Sequence, residues 1–169
     1  LLATAQYLAQ HSDFDGTVYL IFQPAEEGGG GAKAMMDDGL FSRFPMDAVY
    51  ALHNWPGLPV GTVAASAGPV MASSNEFKLV LRGKGCHAAM PHLGRDPVVA
   101  AAALIQAWQS IVSRNLKPID DSVISTTILR AGEASNVIPE TCTLEGTVRT
   151  FSLEVLDTIE ARMREMADA

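Results

Sequence analysis

In FQPAEEGGGGAKAMM (residues 22–36), Glu26 and Glu27 stand side by side between a proline and four consecutive glycines. Adjacent carboxylates repel, and a glycine run is entropically expensive to order. One carboxylate can bind a hard or borderline cation while the other reaches a water on that cation, and a bound dication relieves the repulsion. The plain alternative is a solvated loop with two surface acids. His53, in YALHNWPG (50–57), offers an imidazole that serves either as a metal ligand or as a hydrogen-bonded structural residue. In GKGCHAAMPH (83–92), His87 can donate a proton or stabilise an oxyanion. A Cys86/His87/His92 zinc site has a spacing unlike the usual closed sites, and His92 and His11 read as a loop residue and a helix-end residue. In NVIPETCTLEGTVR (136–149), Asn136 and Arg149 suit a carboxylate, which a guanidinium holds bidentately. The alternative for Arg149 is a cross-strand ion pair.

Two kinds of element would position these groups. Residues 1–11 read as a helix with Leu1, Leu2, Ala5 and Leu8 on one stripe. GTVYLIFQP (16–24) and DAVYALHNW (47–55) are apolar and β-rich, the pattern of strands buried on both faces of a parallel sheet. Between them, residues 30–41 read as a helix ended by Gly39. That order is α/β, and it puts Glu26, Glu27 and His53 at the carboxyl ends of strands, where open sheets of this kind bind ligands. Residues 61–73 read as a further strand or crossing segment.

The texture changes near Ala72. Residues 76–83, 122–130 and 141–151 alternate apolar and polar, the pattern of half-exposed strands. Residues 97–114 form a helix with Asp96 as N-cap, Pro97 at its first position and a stripe of Val98, Ala101, Ala102, Ile105, Trp108 and Val112. Ser152 caps a last helix striped by Leu156, Ile159, Met163 and Met166. This β-α-β-β-α run is one strand short of a split βαβ sandwich. Its sheet has one face under two helices and one open, with Leu144 and Val148 turned to the helices and Glu145, Thr147 and Arg149 to the open side.

The chain has 169 residues, is 48% hydrophobic and 18% charged, and carries a net charge of −7. It is therefore globular, and with no basic cluster it is a poor partner for nucleic acid. No apolar run approaches the roughly 20 residues that span a bilayer. No signal peptide is visible, and the two cysteines, Cys86 and Cys142, read as free thiols in a reducing compartment, which points to the cytoplasm. The chain opens without Met inside a helix and stops inside another, so it reads as a piece of a longer one.

Together QPAEEGGGGA, ALHNWPG, GKGCHAAMPH and NVIPETCTLEGTVRTF resemble the M20 metallopeptidases, specifically the amidohydrolase branch of hippurate hydrolases, N-acyl-amino-acid amidohydrolases and auxin-conjugate hydrolases. The resemblance implies a partial catalytic α/β domain over 1–71 and a ferredoxin-like lid and dimerisation domain over 72–169, its last strand missing. It implies that Glu26 is the general base toward the attacking water, that Glu27 and His53 are metal ligands, and that His87 stabilises the oxyanion, often in the partner subunit's active site. It implies that Asn136 and Arg149 hold the substrate carboxylate. Two divalent metal ions (Zn, Mn, Co or Ni) are implied per subunit of the intact protein, together with a small N-acyl amino acid substrate and a homodimer through the lid. Two of the family's five usual ligands are present, so the fragment itself is expected to be inactive and metal-poor, to associate non-natively, or to be partly disordered over residues 1–70.

Two other functions are weighed. A non-catalytic dimerisation or binding module has no need of Glu26 and Glu27 together. An M20 dipeptidase or desuccinylase tends to carry an acidic residue where this chain has His53.

Overall fold

The computed structural model describes residues 1–169 and divides into two compact units, Leu1–Val63 and Ala64–Ala169. The division falls at 63/64 where the change of texture pointed to 71/72.

The first unit holds three helices: α1 (Leu2–Gln10), α2 (Gly31–Asp37) and α3 (Leu40–Arg43). Gly39 ends the first of the two short helices as expected, and its left-handed backbone (φ 87°) also opens the second. The strands expected over 16–24 and 47–55 do not form, and of the two readings of 61–73, strand or crossing segment, the strand is not what forms; no residue before Asn75 belongs to a ladder. The reason is physical. A strand buried on both faces needs a neighbour for its N–H and C=O groups and a layer on each side. The segments 16–24 and 47–55 have neither within the first unit, and Tyr50 and Leu52 are 92% and 87% exposed.

The second unit is a three-stranded antiparallel sheet under two helices. Its strands are β1 (Asn75–Arg82), β3 (Ser122–Ala131) and β5 (Thr141–Thr150), in the order β1-β5-β3. A two-residue ribbon, β2 (Cys86–His87) against β4 (Val137–Ile138), extends beyond it. The helices are α4 (Pro97–Arg114) and α5 (Leu153–Asp168). The caps are those the sequence names. Asp96 accepts from the Val98 amide at 2.8 Å, and Ser152 accepts from the Val155 amide at 3.5 Å.

The burial alternation of β5 decides which groups face the core. Cys142, Leu144, Gly146, Val148 and Thr150 are buried, and the residues between them are not. Phe77 stands opposite Gly146, where an added Cβ would lie 2.7 Å from its ring. The ring thus occupies the space a side chain would take, and its edge meets Trp108 at 5.2 Å between centroids. Trp108 donates from Nε1 to the Met163 carbonyl, which joins α4 to α5. The buried face of α4 runs through Pro97, Ala101, Leu104, Trp108 and Ile111, so the expected stripe was centred about one residue off. In α5, Val155, Ile159 and Met163 are buried, with Leu156 and Met166 at the margin. On β3 an extra residue between Thr126 and Ile128 breaks the register, and the strand turns Leu129 toward the helix side. No helix is long and apolar enough to cross a membrane.

Leu144 is fully buried and Leu52 is 87% exposed. Leu144→Ala is expected to cost about 3 kcal/mol in urea unfolding, and Leu52→Ala less than about 0.5 kcal/mol. Burial, and secondarily the Asp96 carboxylate, push the Cys142 thiol above its ordinary value of 9.0. A raised value means the folded state disfavours the thiolate, so the stability it contributes is complete below 9.0 and is lost as pH rises beyond it. The unfolding midpoint should therefore decline above that pH, and Cys142→Val should flatten the decline.

Candidate functional site

The first cluster is the acidic turn. Pro24 to Gly29 form a compact bend closed by hydrogen bonds from the Gly28 amide to the Glu26 carbonyl (3.0 Å) and from the Gly29 amide to the Ala25 carbonyl (3.1 Å). The four glycines answer two demands. Gly28 and Gly30 have positive φ (91° and 67°), which side chains disfavour. Gly29 and Gly31 are approached too closely for a Cβ, which would lie 2.5 Å from the Ala25 side chain and 1.7 Å from the Pro24 carbonyl oxygen. Ala25 itself is held at φ 47°, a strained position for a residue with a Cβ. Glu26 and Glu27 are exposed on this bend, and neither forms an ion pair or a side-chain hydrogen bond.

His53 is exposed in the same unit. Its Nδ1 lies 2.6 Å from the Asn54 carbonyl oxygen, and its ring meets the Trp55 ring edge-on at 6.0 Å. A carbonyl only accepts, so Nδ1 carries the proton and donates, and the Nε2 lone pair is left free. Metal-binding histidines are commonly set up in this way, with the second nitrogen tied to a backbone carbonyl. Glu27 and His53 therefore have the chemistry of ligands. No group of three His, Cys, Asp or Glu side chains gathers anywhere in the chain, so neither residue belongs to a ready-made metal cluster. Cys86, His87 and His92 likewise do not gather.

The remaining groups lie in the second unit. His87 sits on β2 opposite Val137, and the Ala88 amide donates to the Asn136 carbonyl at 2.9 Å, so the ribbon fixes His87 beside Asn136. The loop carrying His87 is closed by paired backbone hydrogen bonds between Lys84 and Arg95 (2.9 and 3.0 Å). Gly94 permits this closure, since its Cβ would fall 2.5 Å from Cys86 Sγ. His92 is exposed in a 3₁₀ turn, Pro91–Leu93. Asn136 is exposed and its side-chain amide makes no hydrogen bond.

Arg149 is exposed on the open face of β5, opposite Val123, and forms no ion pair. Glu76, the acid on the neighbouring β1 opposite Thr147, forms no ion pair, and Glu145 further along β5 is held by Lys78 at 3.2 Å and Arg130 at 3.3 Å. The cross-strand alternative for Arg149 is thus not what forms. The structure brings His87 and Asn136 together but does not bring Arg149 to them. Arg149 is eight residues along β5 from Thr141, roughly 26 Å of extended chain, and the ribbon lies past the Thr141 end.

The profile of Peptidase family M20/M25/M40 matches residues 1–151. An N-acetyl-L-cysteine deacetylase of Bacillus subtilis (strain 168) is 45% identical over 163 residues, which cover 96% of this chain and 39% of that protein. An N-acetyldiaminopimelate deacetylase of Geobacillus thermodenitrificans is 43% identical over 156 residues, 92% of this chain and 41% of that one. Among solved structures, a dinuclear metal-binding peptidase of the M20 family from Bacillus subtilis superposes with a TM-score of 0.71 at 36% identity, covering 98% of this chain and 40% of that one. An aminobenzoyl-glutamate utilization protein from Klebsiella pneumoniae gives 0.69 at 29% identity, covering 99% and 42%. The chain thus spans about two fifths of the length of the relatives it matches.

Proposed function

Because this chain belongs to peptidase family M20/M25/M40, we propose that the whole protein is a divalent-metal-dependent amidohydrolase that cleaves the amide bond of N-acyl amino acids. The observation that carries the reading is the acidic turn: two unpaired carboxylates, Glu26 and Glu27, presented on a tight bend shaped by four glycines and a strained Ala25. The bound metal supplies Lewis acidity and an acidified water. Glu27 and His53 Nε2 would hold it together with ligands from elsewhere in the whole protein. Glu26 takes a proton from the attacking water and returns it to the departing nitrogen. His87 donates to the oxygen that becomes negative, and Asn136 and Arg149 hold the substrate's carboxylate. The deacetylases among the relatives favour a small acetyl group, with the benzoyl group of hippurate as the larger acyl group to compare.

The distance along β5 supports a homodimer. One substrate carboxylate cannot touch Arg149 and Asn136 of the same chain across roughly 26 Å of strand, whereas a two-fold partner can bring its own ribbon to Arg149. A non-catalytic module is the second reading, and the acidic turn speaks against it. A dipeptidase or desuccinylase is the third, and His53 speaks against it. Residues 1–71 as part of a catalytic domain and 72–169 as the lid belong to the same proposal, as does a cytoplasmic location.

The test is an assay of the whole protein supplied in turn with Zn, Mn, Co and Ni, on an N-acetyl amino acid, hippurate and a dipeptide. N-acyl substrates should be cleaved and the dipeptide should not; the reverse preference would overturn the reading. Glu26→Gln should lower kcat roughly 10²- to 10⁴-fold with little change in KM. Arg149→Ala should raise KM about tenfold or more, the loss of a charged hydrogen bond. The 169-residue chain alone should show only background turnover. Clear metal-dependent hydrolysis by it would contradict a metal site that Glu27 and His53 cannot complete by themselves.

A further inference from the structure

His87 occupies the first position of a tight turn. Its carbonyl accepts from the Met90 amide at 2.8 Å, and its Nδ1 lies 3.1 Å from the Ala89 amide nitrogen. A backbone N–H can only donate, so the nitrogen facing it must present a lone pair. In the neutral ring this leaves the proton on Nε2, the nitrogen turned away from the turn. His53 is tied the opposite way, with Nδ1 donating to the Asn54 carbonyl and the Nε2 lone pair free. Backbone groups next to each imidazole thus set two different tautomers, one suited to accept a metal and one suited to donate a hydrogen bond.

We propose that the backbone amide of Ala89 is a positioning group. It locks the neutral His87 ring as the Nε2–H tautomer and fixes its orientation, so that His87 acts as a hydrogen-bond donor through Nε2. The inference rests on the reading of His87 as the oxyanion donor and names the nitrogen that donates and the group that holds it. The surroundings favour the lock. The turn is closed by the Met90 bond, and the Ala88 amide is spent on the Asn136 carbonyl, so Ala89 carries the amide of this turn that is free to face the ring. Ala88 and Ala89 are exposed, and their short side chains leave the ring uncrowded. The Ala88 bond ties the same turn to the Asn136 backbone, which keeps the two residues adjacent. A donor whose proton is already in place needs no reorganisation when negative charge develops on the substrate oxygen.

The experiment is NMR on the ¹⁵N-labelled 169-residue chain at a pH where the ring is neutral. A through-hydrogen-bond coupling between the Ala89 nitrogen and His87 Nδ1 is expected, with Nδ1 resonating as an unprotonated nitrogen and Nε2 as a protonated one. Replacing the Ala89 amide by an ester removes the N–H without a proline's distortion. The coupling should vanish, and Nδ1 should shift toward the protonated range as the second tautomer appears. Absence of the coupling in the unmodified chain, or an unchanged tautomer ratio in the ester, would overturn the proposal. Neither result depends on turnover. If the lock is present while His87→Ala leaves kcat of the whole protein unchanged, the fault lies in the role given to His87.

Discussion

The register of β5 is the constraint on which the second unit depends. Bonded on both sides, to β1 and β3, the strand shows strict alternation: Leu144 and Val148 are buried against the helices, while Glu145 and Arg149 face away. A slip of one residue would exchange the two sets. It would expose two aliphatic side chains, each worth roughly 1.5–3 kcal/mol of burial, and bring a guanidinium and a carboxylate into the core. The packing that stabilises the sheet is therefore the same fact that presents Arg149 to solvent. Gly146 adds to it, because only a residue without a side chain lets the Phe77 ring lie across the central strand and reach Trp108.

Position is set differently in the acidic turn and in the histidine loops. There, short-range backbone geometry does what a ladder does in the sheet. Glycines in left-handed conformation or under close contact shape the bend under Glu26 and Glu27. A carbonyl orients His53 and an amide orients His87. Each device acts within a few residues of the group it orients. Such local control costs conformational entropy, and the helices and strands are not what sets the orientation of these side chains.

This division explains what could be read from the sequence. The second unit was legible nearly throughout, because alternation, caps and helical stripes are periodic signals and here the packing agrees with them. Asp96 and Ser152 cap the helices they announce, and the open face of β5 carries the residues expected on it. The stripe of α4 was misplaced because its alanines fit a core face and a solvent face equally well, and the choice belongs to Leu104 and Ile111. In the first unit the apolar runs around Val18 and Tyr50 carry strand propensity, but propensity supplies no pairing partner, so the strands do not form there. The roles proposed for Glu26, Glu27, His53, His87, Asn136 and Arg149 start from residue type alone, whereas the histidine tautomers depend on a backbone partner that only the turn geometry reveals.

The open face of the sheet also shows how charge is allocated. Glu145 is flanked by Lys78 on one side and Arg130 on the other, so the central acid is compensated twice. Arg149, on the same strand and the same face, has Val123 across from it and no acid bonded to it. Had the arrangement served the sheet's stability alone, sharing the one central acid between two cations while leaving a third unpaired would gain little, since exposed pairs contribute at most about 1 kcal/mol. An uncommitted guanidinium costs little while it stays in water. It becomes valuable only when a carboxylate arrives and is desolvated against it. Asn136, whose side-chain amide is equally uncommitted, stands past the far end of β5. Under the proposed function, two polar groups left free this far apart would meet one carboxylate only if a second subunit supplied one of them.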